Sequence, residues 1–284
     1  MLGGEKVNNN LSISEQLMYI TVRIECEHSN GEHSMGTGFF FRFLDDKETG
    51  AHVPVVITNK HVIEGAVRGR LIFCTLKEDG SPDDSCHYTT YIDGFECLWK
   101  KHPDNSVDLC AMSLELVLNV AVLQKVRPFY ITLNKDNLPT ETFLNEITAL
   151  EVIIMVGYPS GIWDEKNNKP IFRKGITATD MRYDYNGKKE FVIDAACFPG
   201  SSGSPVMVFN QGIYSDKYGN TYVGGGRVVL VGILYAGPQA IATGEIQTVV
   251  IPTAEKSIAV SHIPNNLGYV IKAERILELE KLFL

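Results

Sequence analysis

The chain has 284 residues, 44% hydrophobic and 21% charged, the balance of a globular protein with a substantial core; disordered, collagenous and coiled-coil classes are excluded. A formal charge of −8, with the 26 Lys and Arg spread along the chain, offers no concentrated field for a phosphate backbone, so nucleic acid is not an expected partner. The longest apolar run, 228–237, is about half the ~20 residues of a bilayer-crossing helix, and the N-terminal stretch lacks the basic start and apolar core of a secretory leader, so no membrane contact and a cytoplasmic location are expected.

In chain order, runs rich in Val, Ile, Phe and Tyr predict strands at 17–26, 35–43, 53–59, 69–76, 91–99 and 107–114. Residues 115–148, with Pro128 and Pro139, read as a crossing segment with one short helix. A second set of strands is predicted at 151–157, 171–179, 191–197, 205–209, 228–236 and 268–271. Asn186-Gly187 favours a type I′ hairpin turn, and the glycine-rich stretch 218–226 reads as a surface loop. Ile276, Leu279, Leu282 and Phe283 at helical spacing predict a terminal helix. The expected architecture is all-β: two six-stranded antiparallel barrels and a C-terminal α-helix, closure removing exposed edges. The expected units are an N-terminal barrel over 13–114, a connection over 115–148, a C-terminal barrel over 149–271 and the helix over 272–284.

Of the six cysteines, Cys26, Cys74, Cys110 and Cys197 lie in apolar runs and read as reduced core thiols. Cys86, His87, Cys97 and His102 match none of the usual zinc-ligand spacings, so neither a metal nor another cofactor is expected.

Three segments carry chemistry. Phe198-Pro199-Gly200-Ser201-Ser202-Gly203-Ser204-Pro205 places a serine on a glycine-flanked turn before an apolar strand. Acyl transfer needs such an exposed hydroxyl, together with amides aimed at the developing oxyanion, which Gly200 and Ser202 can supply. Val55-Val56-Ile57-Thr58-Asn59-Lys60-His61 is an apolar run that leads into a histidine, alone among the seven in that setting. Its ordinary pKa near 6.5 suits a general base. In Ser106-Val107-Asp108-Leu109-Cys110 a single acid heads an apolar strand, where burying it unpaired would be costly and an imidazolium would satisfy it. Asp104 competes for that role, but its surroundings read as loop. Taken singly, each segment also reads as a plain turn, strand end or capped strand.

Together the three resemble a trypsin-like serine protease of the chymotrypsin fold. The order His, Asp, Ser is that family's, with gaps of 47 and 94 residues. Thr58-Asn59-Lys60-His61 resembles its Thr-x-x-His segment, Val107-Asp108-Leu109 its Asp-hydrophobic segment, and Gly200-Ser201-Ser202-Gly203-Ser204-Pro205 its Gly-x-Ser-Gly-Gly-Pro motif. Gly36-Thr37-Gly38-Phe39 and Val231-Gly232-Ile233-Leu234-Tyr235-Ala236-Gly237 match the strands before the histidine and after the serine.

The resemblance implies a cleft between two barrels, with Ser202 as nucleophile, His61 as base, Asp108 as its orienter and the Gly200 and Ser202 amides as the oxyanion hole. It further implies that Ala196, Cys197, Phe198, Tyr235, Ala236 and Gly237 line the substrate cleft. With Ala196 at the pocket base, a small or apolar residue before the scissile bond is expected, Asp194 and the 237–262 loop being the remaining sources of charge. No cysteine neighbours His61, and Ser201 replaces the aspartate of enzymes activated by N-terminal cleavage; in these respects the chain is more similar to bacterial HtrA-type proteases. The partners implied are a protein or peptide substrate and a regulatory protein. A catalytically silent or partner-activated binding protein and an esterase on the same fold are the competing readings.

Overall fold

The computed structural model describes residues 11–245, 258–264 and 266–284. Two antiparallel sheets with short helices at their margins give the all-β class expected from the strand pattern. The chain enters through α1 (Ile13–Leu17), capped reciprocally: Glu15 N–H donates to Ser12 Oγ, and Ser12 N–H donates to the Glu15 carboxylate. Leu17 therefore ends a helix, a correction to the strand expected from residue 17.

The first sheet contains β1 (Thr21–His28), β2 (His33–Phe43), β3 (Val53–Thr58), β4 (Ala66–Leu76), β5 (Pro82–Asp93), β6 (Lys100–Lys101), β7 (Cys110–Ser113) and β8 (Pro128–Phe129). A short helix, α2 (Lys60–Ile63), follows β3. The order is β5-β4-β1-β2-β3-β7-β6, with β8 pairing the end of β4 at Cys74 and Thr75. The sheet is eight-stranded and its ends do not pair, which corrects the six-stranded barrel expected for this half. The extra strands, β6 and β8, are two residues each, too short to leave an alternation in sequence. The run 91–99 is strand only to Asp93, and a helical turn follows at Phe95–Leu98.

Two helices, α3 (Glu115–Leu123) and α4 (Glu141–Glu146), occupy the connection, where one was expected. The second sheet is a closed six-stranded barrel, as expected. Its members are β9 (Val152–Gly157), β10 (Ile171–Thr177), β11 (Glu190–Asp194), β12 (Pro205–Ser215), β13 (Thr221–Ala236) and, beyond the hairpin of β14 (Gln239–Glu245) and β15 (Ile258–Pro264), β16 (Leu267–Lys272). Asn186 and Gly187 both have positive φ, 52° and 75°, as the predicted I′ turn requires. The stretch 218–226 is not a loop throughout. β12 and β13 pair out to Ser215 and Thr221 as a ribbon with Tyr214 stacked on Tyr222, so Gly224, Gly225 and Gly226 sit in strand and only Gly219 lies in the connecting turn. Part of the 237–262 segment, residues 246–257, lies outside the described residues.

One apolar cluster runs through both sheets, joining Phe39, Phe41, Phe43 and Ile57 to Val156, Met207, Leu230 and Ile233. Leu17 of α1 and Ile276 and Leu279 of the terminal helix α5 (Ile276–Glu280) close its ends. Each such large side chain contributes roughly 1.5–3 kcal/mol when fully buried, so the cleft between the sheets rests on shared core rather than on a hinge. Cys26, Cys74, Cys110 and Cys197 are buried, and Cys86 and Cys97 exposed. Among the described residues no helix is long and apolar enough to cross a membrane.

Candidate active site

His61 lies in α2, whose Val62 and Ile63 are buried beneath it while the imidazole faces outward. The close passage of β2 explains Gly36: a Cβ there would fall 2.5 Å from Val62 Cγ1. The Asp108 carboxylate grips the histidine twice. Oδ2 lies 2.5 Å from His61 Nδ1, and Oδ1 accepts the His61 backbone N–H at 3.2 Å. A ring that donates from Nδ1 keeps the Nε2 lone pair free to accept a proton. Asp108 precedes β7 between buried Val107 and Leu109, and its carbonyl accepts from Asn59 Nδ2 at 2.8 Å. Asp104 is spent elsewhere. Hydrogen bonds from the Ser106 hydroxyl and amide, with Arg275 beside it, hold its carboxyl at about 2.

Ser202 sits on the loop between β11 and β12. Thr37 of β2 binds this loop twice, its N–H donating to Ser202 O at 2.9 Å and its hydroxyl to Gly200 O at 3.0 Å. Thr37 O in turn accepts from Thr58 Oγ1 at 2.7 Å, three residues before His61. Gly200 and Gly203 both have φ of +84°, and a Cβ at 203 would fall 1.9 Å from Thr37 O. Pro199 O accepts from Ser160 N at 2.5 Å. Because a trans peptide sets its N–H opposite its C=O, the Gly200 N–H faces away from that contact. Among the described residues neither the Gly200 nor the Ser202 amide has a hydrogen-bond acceptor, and no hydrogen bond joins Ser202 Oγ to the His61 ring.

The expected cleft residues adjoin this loop. Ala196 is half-buried, Phe198 is exposed, and burial pushes the Cys197 thiol up to about 11, so it is neutral at ordinary pH. A Cβ on Gly237 would lie 3.6 Å from Cys197 Cβ, placing these two side by side next to half-buried Ala236. Tyr235, unusual in size at its position, donates its hydroxyl to Glu190 at 3.0 Å, and burial raises its pKa well above the ordinary tyrosine value. Two contributors went unnoticed in the sequence. Thr37 lay inside the quoted Gly36-Thr37-Gly38 motif, and its signal was its position between glycines. Arg173 reaches Ser201 from β10 and left no signal in sequence. Among the described residues no three His, Cys, Asp or Glu side chains converge as a metal-ligand set.

A sequence model of the trypsin-like peptidase domain matches residues 36–212, a span that includes His61, Asp108 and Ser202. The chain belongs to the trypsin-like peptidase family. It is a serine-type protease of the chymotrypsin fold, a hydrolase. No curated protein sequence matches it. Among solved structures this trypsin-like peptidase is similar to the active form of the Rv3671c protease from M. tuberculosis, at 15% identity over 95% of this chain and 82% of that one, TM-score 0.42. It is also similar to a catalytically inactive Tobacco Etch Virus protease complexed with substrate, at 13% identity over 94% and 82%, TM-score 0.46. A third similar structure is Deg5, at 17% identity over 80% and 88%, TM-score 0.42.

Proposed function

We propose that the protein cleaves peptide bonds through an acyl-enzyme on Ser202, with His61 as general base and then acid and Asp108 as its orienter. The observation that carries this reading is the double grip of Asp108 on His61, which holds the ring in the tautomer able to take the serine proton. In the first step Ser202 Oγ attacks the scissile carbonyl carbon while its proton passes to His61 Nε2. The carbonyl oxygen becomes the oxyanion facing the Gly200 and Ser202 amides, which have no acceptor among the described residues. Collapse expels the amine, which takes the proton from His61. Water then repeats the sequence and releases the acid. Catalytic hydrogen bonds are often long in the free enzyme and tighten on substrate, so an unmade Ser202–His61 contact is compatible with this chemistry.

Ala196, the neutral Cys197 thiol and Gly237 support a pocket for a small or apolar residue before the scissile bond. Protein or peptide substrates and a cytoplasmic setting accompany this reading. Incubation with a fluorophosphonate tests it: Ser202 is labelled in the wild-type chain and not in Ser202→Ala, and a peptide-library profile then gives the pocket preference. Intact protein that neither labels nor cleaves overturns it. The open Ser202–His61 contact favours one second reading, a protein that is silent alone and is activated by a regulatory protein partner; reactivity that appears only on addition of cell extract would identify it.

A further inference from the structure

Arg173 carries a cation into the floor beneath the nucleophile loop. β10 alternates exposed Phe172, Lys174 and Ile176 with half-buried Ile171, Arg173 and Gly175, and this inner face packs under 194–201. Arg173 Nη2 donates to Ser201 Oγ at 2.6 Å, and Nη1 donates to the carbonyl oxygen of Ala196. Its Nε is buried with no acceptor, and among the described residues no carboxylate pairs with it. Burial lowers its pKa from the ordinary arginine value. A half-buried guanidinium whose two acceptors are neutral has no ion pair to offset its desolvation, so stability alone does not account for it. Its value lies in what it holds.

The two acceptors bracket the segment 197–200, whose last residue offers one free amide, and Ser201 directly precedes Ser202. Ser201 Oγ also accepts from Phe198 N at 3.3 Å, so Arg173 and the loop's own backbone converge on one hydroxyl. A planar fork with fixed spacing can set the distance between two such points, which a single ammonium cannot.

We propose that Arg173 is a positioning residue of the acyl-transfer site, holding Ala196 and Ser201 at the separation that keeps the Gly200 and Ser202 amides open to an oxyanion. The proposal rests on Ser202 being the nucleophile.

The test measures kcat and KM on a cleaved peptide, the fluorophosphonate labelling rate and thermal unfolding for wild type, Arg173→Met, Arg173→Lys, Ser201→Ala and the Arg173→Met/Ser201→Ala pair. Losing loop order should resemble losing an oxyanion donor, so Arg173→Met is expected to lower kcat and labelling by about 100-fold with KM within about twofold. Arg173→Lys, able to reach only one acceptor at a time, should recover part of that loss, and Ser201→Ala should lose about tenfold. The paired variant should be no worse than Arg173→Met, since both changes cut the same tie. A folded Arg173→Met that labels at the wild-type rate overturns the proposal, and so do losses that multiply in the pair. A deficit confined to substrates with Asp or Glu before the scissile bond also overturns it, because the charge would then read substrate. If Arg173→Met does not fold, Arg173→Lys and Ser201→Ala decide by the same criteria. Failure of wild type itself to label at Ser202 removes the underlying reading, a result distinct from equal labelling of wild type and variant.

Discussion

Thr37 donates its backbone N–H to the Ser202 carbonyl oxygen over 2.9 Å, from the middle of the first sheet to the loop between β11 and β12 of the second. Its hydroxyl donates to Gly200 O and accepts from Tyr158 N at 3.1 Å, so one buried threonine ties both sheets at the point where the amides must face substrate. In Thr37→Val the backbone bond survives and both hydroxyl bonds go. A loss of about 1–3 kcal/mol is expected in urea unfolding, from the unsatisfied Tyr158 N–H and Gly200 carbonyl, with a labelling rate reduced by about tenfold. Unchanged labelling would show that Gly200 keeps its orientation without the hydroxyl.

Gly203→Ala should be far more damaging than its one added methyl suggests. The new Cβ would meet Thr37 O, a backbone atom that cannot swing aside, and φ of +84° is unfavourable for alanine. Destabilisation of about 3 kcal/mol is expected, together with loss of the Thr37–Ser202 bond and of labelling. Parallel thermal unfolding and labelling check this, and a variant of normal stability and reactivity would contradict it.

Asp108→Asn keeps the shape of the side chain but offers an amide where His61 Nδ1 needs an acceptor. The ring then favours the wrong tautomer, and kcat is expected to fall by roughly 10³–10⁴-fold while unfolding changes little. A fall below about tenfold would mean that His61 is oriented by something other than Asp108.

His102 supplies a pH dependence of stability unconnected with catalysis. Its ring is enclosed, accepts the Asp104 N–H at Nδ1 over 3.1 Å and has Glu278 Oε2 3.4 Å from Nε2. Burial lowers its pKa from 6.5, Glu278 opposing that shift while Arg275 and Lys60 reinforce it. The unfolded chain therefore binds the proton more readily than the native one in the window below about 6.5, and stability falls as pH drops through it. The melting temperature between pH 8 and 5 should decline less in His102→Gln than in wild type. Parallel curves would refute the assignment.

The proposed pair was legible because an apolar run leads into His61 and a single acid, Asp108, heads an apolar strand. Ser202 was legible through its flanking glycines, and Gly200 and Gly203 have positive φ. Arg173 was hidden because strand alternation says that two faces exist, not which one turns inward. Between Phe172 and Lys174 a cation reads as solvent-facing, and only the packing of β10 under the 194–201 loop reverses that. β6 and β8 were hidden by length, since two residues carry no period. The start of the chain was misread because Leu17 to Ile20 is apolar in either geometry, and Ser12 and Glu15, whose spacing marks a helix start, decide it.

Arg275 meets Asp104 across 171 positions of sequence, beside Glu278 and His102, so the stretch leading into Asp108 is braced by a segment made long after it. On a ribosome the first sheet can assemble early, yet this brace arrives only when synthesis has passed Glu278, downstream of Ser202 as well. The support under the segment that leads to Asp108 is therefore among the last tertiary contacts a growing chain can make.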